Sequence, residues 1–356
     1  HTYTPLEMFM PLYFKLLYSF LWSLAWFFSS APALAQEQIL NLYSSRHYET
    51  DEALYANFTK LTGIKVNRIE ANENALLERI RNEGARSPAD VLLTVDAGRL
   101  WTAEQMGLLQ PVKSPQLESR VPAGMREPNG MWFGFSMRAR VIAFDRARVK
   151  PGEIRSYEDL ADPKWRGKLC VRSGSHLYNL SLVSAMIDQH GEAKTEAWAK
   201  ALAGNLARSP KGGDTDQLRS VAAGECQVAL ANSYYYARLM RSDKPEDKAL
   251  VEKVGVIFPN QASGEGGAHV NISGAGVLKN APHRDAAVKF LEYLVTDSAQ
   301  AYFANGNNEW PVIANLQVAN PALAKLGRFS YDTRNVAALG RNQPAAKKIV
   351  DRAGWK

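Results

Sequence analysis

The sequence carries none of the compact signatures of a catalyst. It has no HExxH pair, no GxSxG elbow, no phosphate loop ending in GK[ST] and no CxxC. Six histidines are scattered over 356 residues, none with a neighbour at metal-ligand helical spacing. No nucleophile–base pairing is evident, so the chain is read as a binding protein and not as an enzyme. A formal charge of +7 gives a mild excess of base, but no Lys/Arg-dense run gathers it into a patch. Nucleic acid is therefore not an expected partner. The glycines of residues 263–276 (GEGG, GAG) match no phosphate-binding pattern and read as flexible turns.

Charge is also missing from residues 16–36. Lys15 precedes an apolar run over 16–28, and Ala33-Leu34-Ala35 supplies a small-x-small site before Gln36. This is the pattern of an export signal over residues 1–35, with a start at Met10 giving it a more usual length. The run is shorter than the roughly 20 residues of a membrane span. No cysteine follows the cleavage site to carry a lipid. A soluble product in the periplasm is the expectation.

Cysteine is scarce. Cys170 and Cys226 each stand eight residues ahead of a tyrosine, Tyr178 and Tyr234. Both lie in apolar runs, KLCVRS and CQVALA, that read as buried parallel strands. If those strands are neighbours in register, a disulfide is within reach. Two unpaired buried thiols are the competing reading.

What is present is alternation. Residues 38–45 read as a strand and residues 50–61 as an amphipathic helix, capped by Thr50 and stopped by Gly63. IKVNRIEA, NALLERIRNEG and DVLLTV continue the rhythm as strand, helix and strand. The long extended run MWFGFSMRARVIAFDR breaks it and reads as a crossover into a second lobe. A second alternating stretch spans about 168–259, residues 263–276 return, and helices follow over about 283–305. The fold class expected is α/β: two lobes, two crossover strands and a hinge, with ligand held in the cleft. The limits drawn are 36–136 plus 261–311 for the first lobe and 137–260 plus 312–356 for the second. Trp132, Phe133 and Phe135 are assigned to packing.

Phenols stand where these strands run out. Tyr48 follows the first strand in YSSRHYETD, Tyr178 lies in RSGSHLYNLS, and Tyr234-Tyr235-Tyr236 follow CQVALAN. Open α/β sheets bind ligands beyond the carboxyl ends of their strands. SSRHYETD, SPADVLLTVDAGRLW, MWFGFSMRARVIAF, LADPKWRGKL, SYYYAR and the WPV near Val312 together resemble the periplasmic ferric-ion-binding proteins of ABC iron transporters. The similarity, which runs over essentially the whole chain after the signal, is to the tyrosine-rich branch of cyanobacteria and some proteobacteria. It implies a type II periplasmic-binding-protein fold. It also implies a receptor that captures iron and delivers it to an inner-membrane ABC permease and its ATPase, as a monomer.

Carried over residue by residue, the family's metal ligands fall on His47, Tyr48, Tyr178, Tyr234 and Tyr235. Tyr236 matches no ligand and is assigned to packing. The resemblance implies iron as the bound ion, Fe³⁺ with Fe²⁺ as the other option. Ferric iron is a hard cation suited to ionised oxygen. Four tyrosinates on Fe³⁺ leave one net negative charge, for which Arg138 and Arg238 are the candidate compensating cations. His176, His190, His269 and His283 are not assigned to the metal. The alternative reading keeps the fold and binds a small organic anion, a carboxylate or phosphonate, through Arg46, Arg138, Ser173 and Ser175.

Overall fold

The computed structural model describes residues 38–46 and 48–356; the expected signal segment and His47 lie outside them. The described residues form strands β1 (Ile39–Ser44), β2 (Lys65–Glu70), β3 (Val91–Thr94), β4 (Leu109–Gln110) and β5 (Phe133–Asp145). β6 (Leu169–Cys170), β7 (Val228–Asn232), β8 (Val254–Ile257), β9 (Val270–Leu278) and β10 (Trp310–Pro311) complete the set. Their order is β2-β1-β3-β9-β5-β7-β6, with β4 beside β9 and both β8 and β10 beside β5.

The first part of the chain follows the expected βαβαβ course. β1 pairs in parallel with β2 on one side and β3 on the other. Helix α1 (Asp51–Thr62) links β1 to β2, and α2 (Glu73–Glu83) leads towards β3. Apolar Leu54, Tyr55 and Phe58 share the buried face of α1, and Gly63 ends it with φ 73°, a left-handed conformation that favours glycine. Helix α3 (Ala97–Gln105) starts on Asp96, whose carboxylate accepts from the Arg99 N–H. One expectation fails here: Thr50 does not cap α1 through its side chain. Its hydroxyl donates to Asn307 Oδ1 instead, a longer-range partner that sequence spacing gives no sign of.

β5 is the crossover. Its first half, Phe133–Ala139, pairs with β9, and its second half, Arg140–Asp145, pairs with β7 and β8. Thirteen residues at roughly 3.3 Å each reach about 43 Å, enough to serve two sheet regions. β9 is the return strand, joining β5 to β3 by antiparallel ladders.

Alternation along β5 sorts its side chains. Phe133, Phe135, Met137, Ala139 and Val141 enter apolar packing, while Ser136, Arg138 and Arg140 occupy the other face, also buried. The register sets Ser136 opposite Ser273 and Arg138 opposite Asn271, so polar residues meet polar residues across the ladder.

The remaining helices are α4 (Pro115–Arg120), α5 (Leu177–His190), α6 (Glu192–Gly204), α7 (Asp214–Ala222), α8 (Ser233–Met240), α9 (Pro245–Lys253) and α10 (Arg284–Leu294). After them come α11 (Asp297–Asn307), α12 (Pro321–Leu326), α13 (Ala337–Arg341) and α14 (Gln343–Arg352). Apolar packing divides accordingly. One core gathers Leu42, Phe58, Leu92, Trp132, Phe135 and Phe290 around the β1–β3 region. Another gathers Trp165, Leu182, Trp198, Leu230, Ile349 and Trp355 around α5, α6 and α14. A third lies around β6 and β7 and contains both cysteines. Each fully buried large side chain contributes about 1.5–3 kcal/mol. Val312, Ile313, Val336 and Leu339 pack in the first core and Ile349 with Trp355 in the second, so the tail touches both.

Cys170 and Cys226 form a disulfide, with Cα atoms 5.8 Å apart. β6 and β7 are parallel neighbours, with Cys170 opposite Ala229, and Cys226 lies two residues ahead of β7, close enough to Cys170 for the bond. Among the described residues no helix is long and apolar enough to cross a membrane.

Candidate functional site

Three strand ends converge on one cleft. Tyr48 lies beyond β1, Tyr178 beyond β6 and Tyr234 and Tyr235 beyond β7. All four line a cavity of about 450 Å³, together with Glu49, Thr50, Val95, Arg238, Gly306 and Asn307. Tyr236, the third phenol of the run, points elsewhere: it is buried and donates to the Val254 carbonyl at 2.7 Å. It is a packing residue, as expected.

Tyr178, Tyr234 and Tyr235 sit in the first turns of helices. Tyr178 is the second residue of α5, whose cap is His176: its Nδ1 accepts from the Tyr178 N–H at 3.3 Å, and the two rings meet edge-on at 4.5 Å. Burial and then Arg172 push the His176 pKa down to about 4, so the ring is neutral at pH 7 and free to accept. Tyr234 and Tyr235 open α8, with ring centroids 4.2 Å apart. The Tyr178 and Tyr234 hydroxyl oxygens are 2.9 Å apart. Phenolates at these positions gain from the positive helix ends.

Tyr48 is held differently, on the loop between β1 and α1. Arg46 anchors that loop. It is fully buried and forks onto Asp51, with Nε–Oδ2 at 2.8 Å and Nη2–Oδ1 at 3.1 Å. Its Nη1 donates to Glu309 at 3.1 Å and to Ser273 Oγ at 2.6 Å. The guanidinium lies between two rings, 4.8 Å from the Tyr48 centroid and 5.0 Å from that of Phe303. Asn307 closes the arrangement by donating to Asp51 at 2.8 Å. Gly306 allows the approach, because a Cβ there would come within 3.0 Å of Thr50.

The phenols are within electrostatic reach of one another. Burial first, then Glu309, raises the Tyr48 pKa, while Arg46 and Arg138 lower it. Burial raises Tyr178 well above 10, followed by the proximity of Tyr235 and Tyr48. Tyr234 is raised by burial, then by Tyr48, Tyr178 and Tyr235. The groups are therefore protonated at neutral pH, and a cation of high charge is needed to ionise them. Among the described residues, no three His, Cys, Asp or Glu side chains gather as a metal-holding group.

Both arginines singled out in the sequence are near the phenols. Arg238 is exposed, 5.9 Å from the Tyr234 ring centroid and 5.6 Å from that of Tyr235. Arg138 is buried on β5 and donates to Ser273 Oγ at 3.3 Å, while its Nη2 has no hydrogen-bond partner among the described residues. Ser173 and Ser175 pair with each other at 2.8 Å in the loop ahead of α5. Arg46 departs from the organic-anion reading: its donors are taken up by Asp51, Glu309 and Ser273, so it is not available to a ligand. His190 and His283 pair with Glu158 and Asp90, and His269 Nε2 meets Ser181 Oγ at 2.7 Å.

Sequence reasoning missed the buried carboxylates. Asp51 and Glu309 are buried and hold Arg46, and Asp214 is buried and holds Arg140 and Arg172. Only the period-two spacing of Ser136, Arg138 and Arg140 hinted at a polar seam. Arg140 and Arg172 stand 5.9 Å and 5.0 Å from the Tyr178 ring centroid, and both pair with Asp214.

The family model for bacterial extracellular solute-binding proteins matches residues 86–331. Iron uptake protein A2 of Synechocystis sp. is 55% identical over 324 residues, covering 91% of this chain and 92% of that protein. Iron uptake protein A1 of the same organism is 53% identical, covering 92% of this chain and 90% of that one. Among solved structures, a Trichodesmium protein (IdiA, FutA) in complex with iron and citrate superposes with a TM-score of 0.86. It is 54% identical and covers 89% of this chain and 100% of its own.

Proposed function

Because this chain belongs to the bacterial extracellular solute-binding protein family, we propose that it is the ferric-iron receptor of an ABC importer. The cargo is iron, taken up in the cleft between two lobes and passed to an inner-membrane permease driven by its ATPase. The lobe limits we propose are 36–136 with 261–311 and 137–260 with 312–356. The periplasm is the proposed compartment and a monomer the proposed state. The role is capture and delivery, with no chemical turnover. The observation that carries this reading is the convergence of four phenols on one cleft, two of them 2.9 Å apart.

The proposed ligands are Tyr48, Tyr178, Tyr234 and Tyr235, with His47 as the fifth. Fe³⁺ stabilises each phenolate and displaces its proton, so capture is coupled to proton release. Four phenolates leave the centre with one net negative charge. Arg138 and Arg238 compensate it, one buried beneath the cleft and one at its edge. Ligands drawn from both lobes are satisfied together only when the cleft is closed, so the metal favours the closed state. Fe²⁺ gains less from phenolate because its charge is lower.

The test is a titration of metal-free protein with Fe³⁺, watched in the visible. Phenolate bound to ferric iron absorbs there, and one equivalent should saturate the band. Tyr235→Phe removes one ionisable oxygen and little volume, so it should weaken iron binding and leave melting nearly unchanged. A colourless iron complex, or unchanged affinity in that variant, contradicts the assignment.

A further inference from the structure

A buried cluster behind the cleft is not accounted for by ligation or by charge compensation. Its centre is Arg140 on the second half of the crossover strand β5, only 1% exposed. Nη1 donates to Asp214 at 2.5 Å and to Asn232 Oδ1 at 3.1 Å. Nη2 donates to Asn179 Oδ1 at 2.8 Å. Asp214 is fully buried, and its other oxygen accepts from Arg172 at 3.2 Å. Asn179 and Asn232 are buried as well.

The positions of the two asparagines give the cluster its meaning. Asn179 directly follows Tyr178 in α5, and its amide donates to the Arg172 and Ser173 carbonyls at 3.1 and 3.0 Å, fixing the loop ahead of that helix. Asn232 is the cap position of α8, directly before the Ser233-Tyr234-Tyr235 turn. Its backbone N–H donates to the same Asp214 at 2.6 Å. One guanidinium thus reaches both helix starts that carry phenols, and ties them to a strand shared by the two sheet regions. A planar fork with fixed donors sets both distances and angles, which a lysine ammonium cannot do.

We propose that Arg140, with Asp214, Asn179 and Asn232, is a positioning cluster that sets the Tyr178–Tyr234–Tyr235 geometry for iron. This rests on the reading of those phenols as the iron ligands. Arg140 does not touch the metal; it acts through the two helix starts. Because it stands on the crossover strand, it also links the phenol arm to the strand that serves both sheet regions.

Arg140→Lys keeps the charge facing Asp214 and loses the simultaneous reach to both asparagines. Asn179→Ala leaves the Arg140–Asp214 pair intact and serves if the first variant folds poorly. Both are loaded with Fe³⁺ and compared with the parent for visible band position, iron release to a competing chelator and melting without metal. The cluster's role predicts a shifted band and release at least about tenfold faster, the lower end of what loss of an orienting partner costs a metal site. A merely structural role lowers melting and leaves band and release unchanged in both variants, which overturns the proposal. If the parent itself gives no visible band with iron, the phenol-ligand reading fails and this inference with it. A coloured parent beside unchanged variants sinks this inference alone.

Discussion

The two arms of the cleft are built on different supports. Tyr178, Tyr234 and Tyr235 stand on helix starts, with two hydroxyls already hydrogen-bonded and a disulfide joining the strand regions that lead into them. Tyr48 stands on a loop whose order comes from charge: Arg46 beneath it, held by Asp51 and Glu309. Secondary structure places the first arm, and a long-range ion cluster places the second. Under the proposed ligand set, three oxygen donors stand on helix starts and the fourth stands on a loop held by long-range charge.

The largest effect should separate the arms directly. Tyr234→Phe combined with Tyr235→Phe removes two proposed ligands from the helix-borne arm. Tyr48→Phe removes one from the loop-borne arm. If each phenolate contributes at least about 100-fold, the upper end for an outer-sphere partner, the double variant loses more than about 10⁴ in affinity. Tyr48→Phe alone should lose about 100-fold and keep a visible band from the remaining three phenols. Competition with a chelator of known affinity measures both. A loss in the double variant no greater than in Tyr48→Phe would contradict the placing of two ligands on the helix-borne arm.

Next come the supports themselves. Opening the Cys170–Cys226 bridge with a double Cys→Ser change frees a loop of 56 residues, and chain entropy puts the cost at about 4 kcal/mol. Denaturant melting of the metal-free protein checks it, and the damage should appear in the Tyr178–Tyr235 arm. Arg46→Gln leaves Asp51 and Glu309 buried without their cation and should cost about 3 kcal/mol. Its damage should appear at Tyr48, as lost affinity with the helix-borne phenols still competent. A loss confined to melting would show that the loop does not need the cluster for its geometry.

The smallest effect concerns acid. Burial first pushes the His269 pKa down to about 3 in the folded protein, below its ordinary 6.5. The neutral form is favoured by folding, so this contribution is whole above pH 6.5 and is lost as pH falls from there towards 3. His269→Gln should flatten the acid side of the stability curve. The phenols act at the other end. Tyr48, Tyr178 and Tyr234 have raised values, so their contribution is present below about pH 10 and is lost as pH rises further.

Much of this was legible in the chain. The apolar β-strand runs, Gly63, the long crossover run and the placement of phenols after strands all follow from local patterns, because each is written within a dozen residues. The disulfide could be raised from the two apolar runs, but only the fold shows β6 beside β7 and the two Cα atoms 5.8 Å apart. Long-range polar pairing was not legible. Arg46 meets Glu309 across 263 positions, and Arg140 meets Asp214 across 74. A buried arginine in sequence looks like an exposed one, which is why Arg46 was open to an organic anion until its partners were seen. Thr50 shows the same limit on a small scale: its spacing suits a cap, and a helix 257 residues away takes the hydroxyl.

Proton counting during iron loading tests the central claim most directly. Metal-free protein in weak buffer at pH 7 is titrated with Fe³⁺ supplied as a chelate of known proton stoichiometry, and released acid is recorded beside the visible band. Four phenols ionising together should release close to four protons per iron, and the apparent affinity should fall by up to about 10⁴ per unit of lowered pH. Tyr48→Phe should lower the count by one. Iron taken up with no proton released and no visible band would contradict the account.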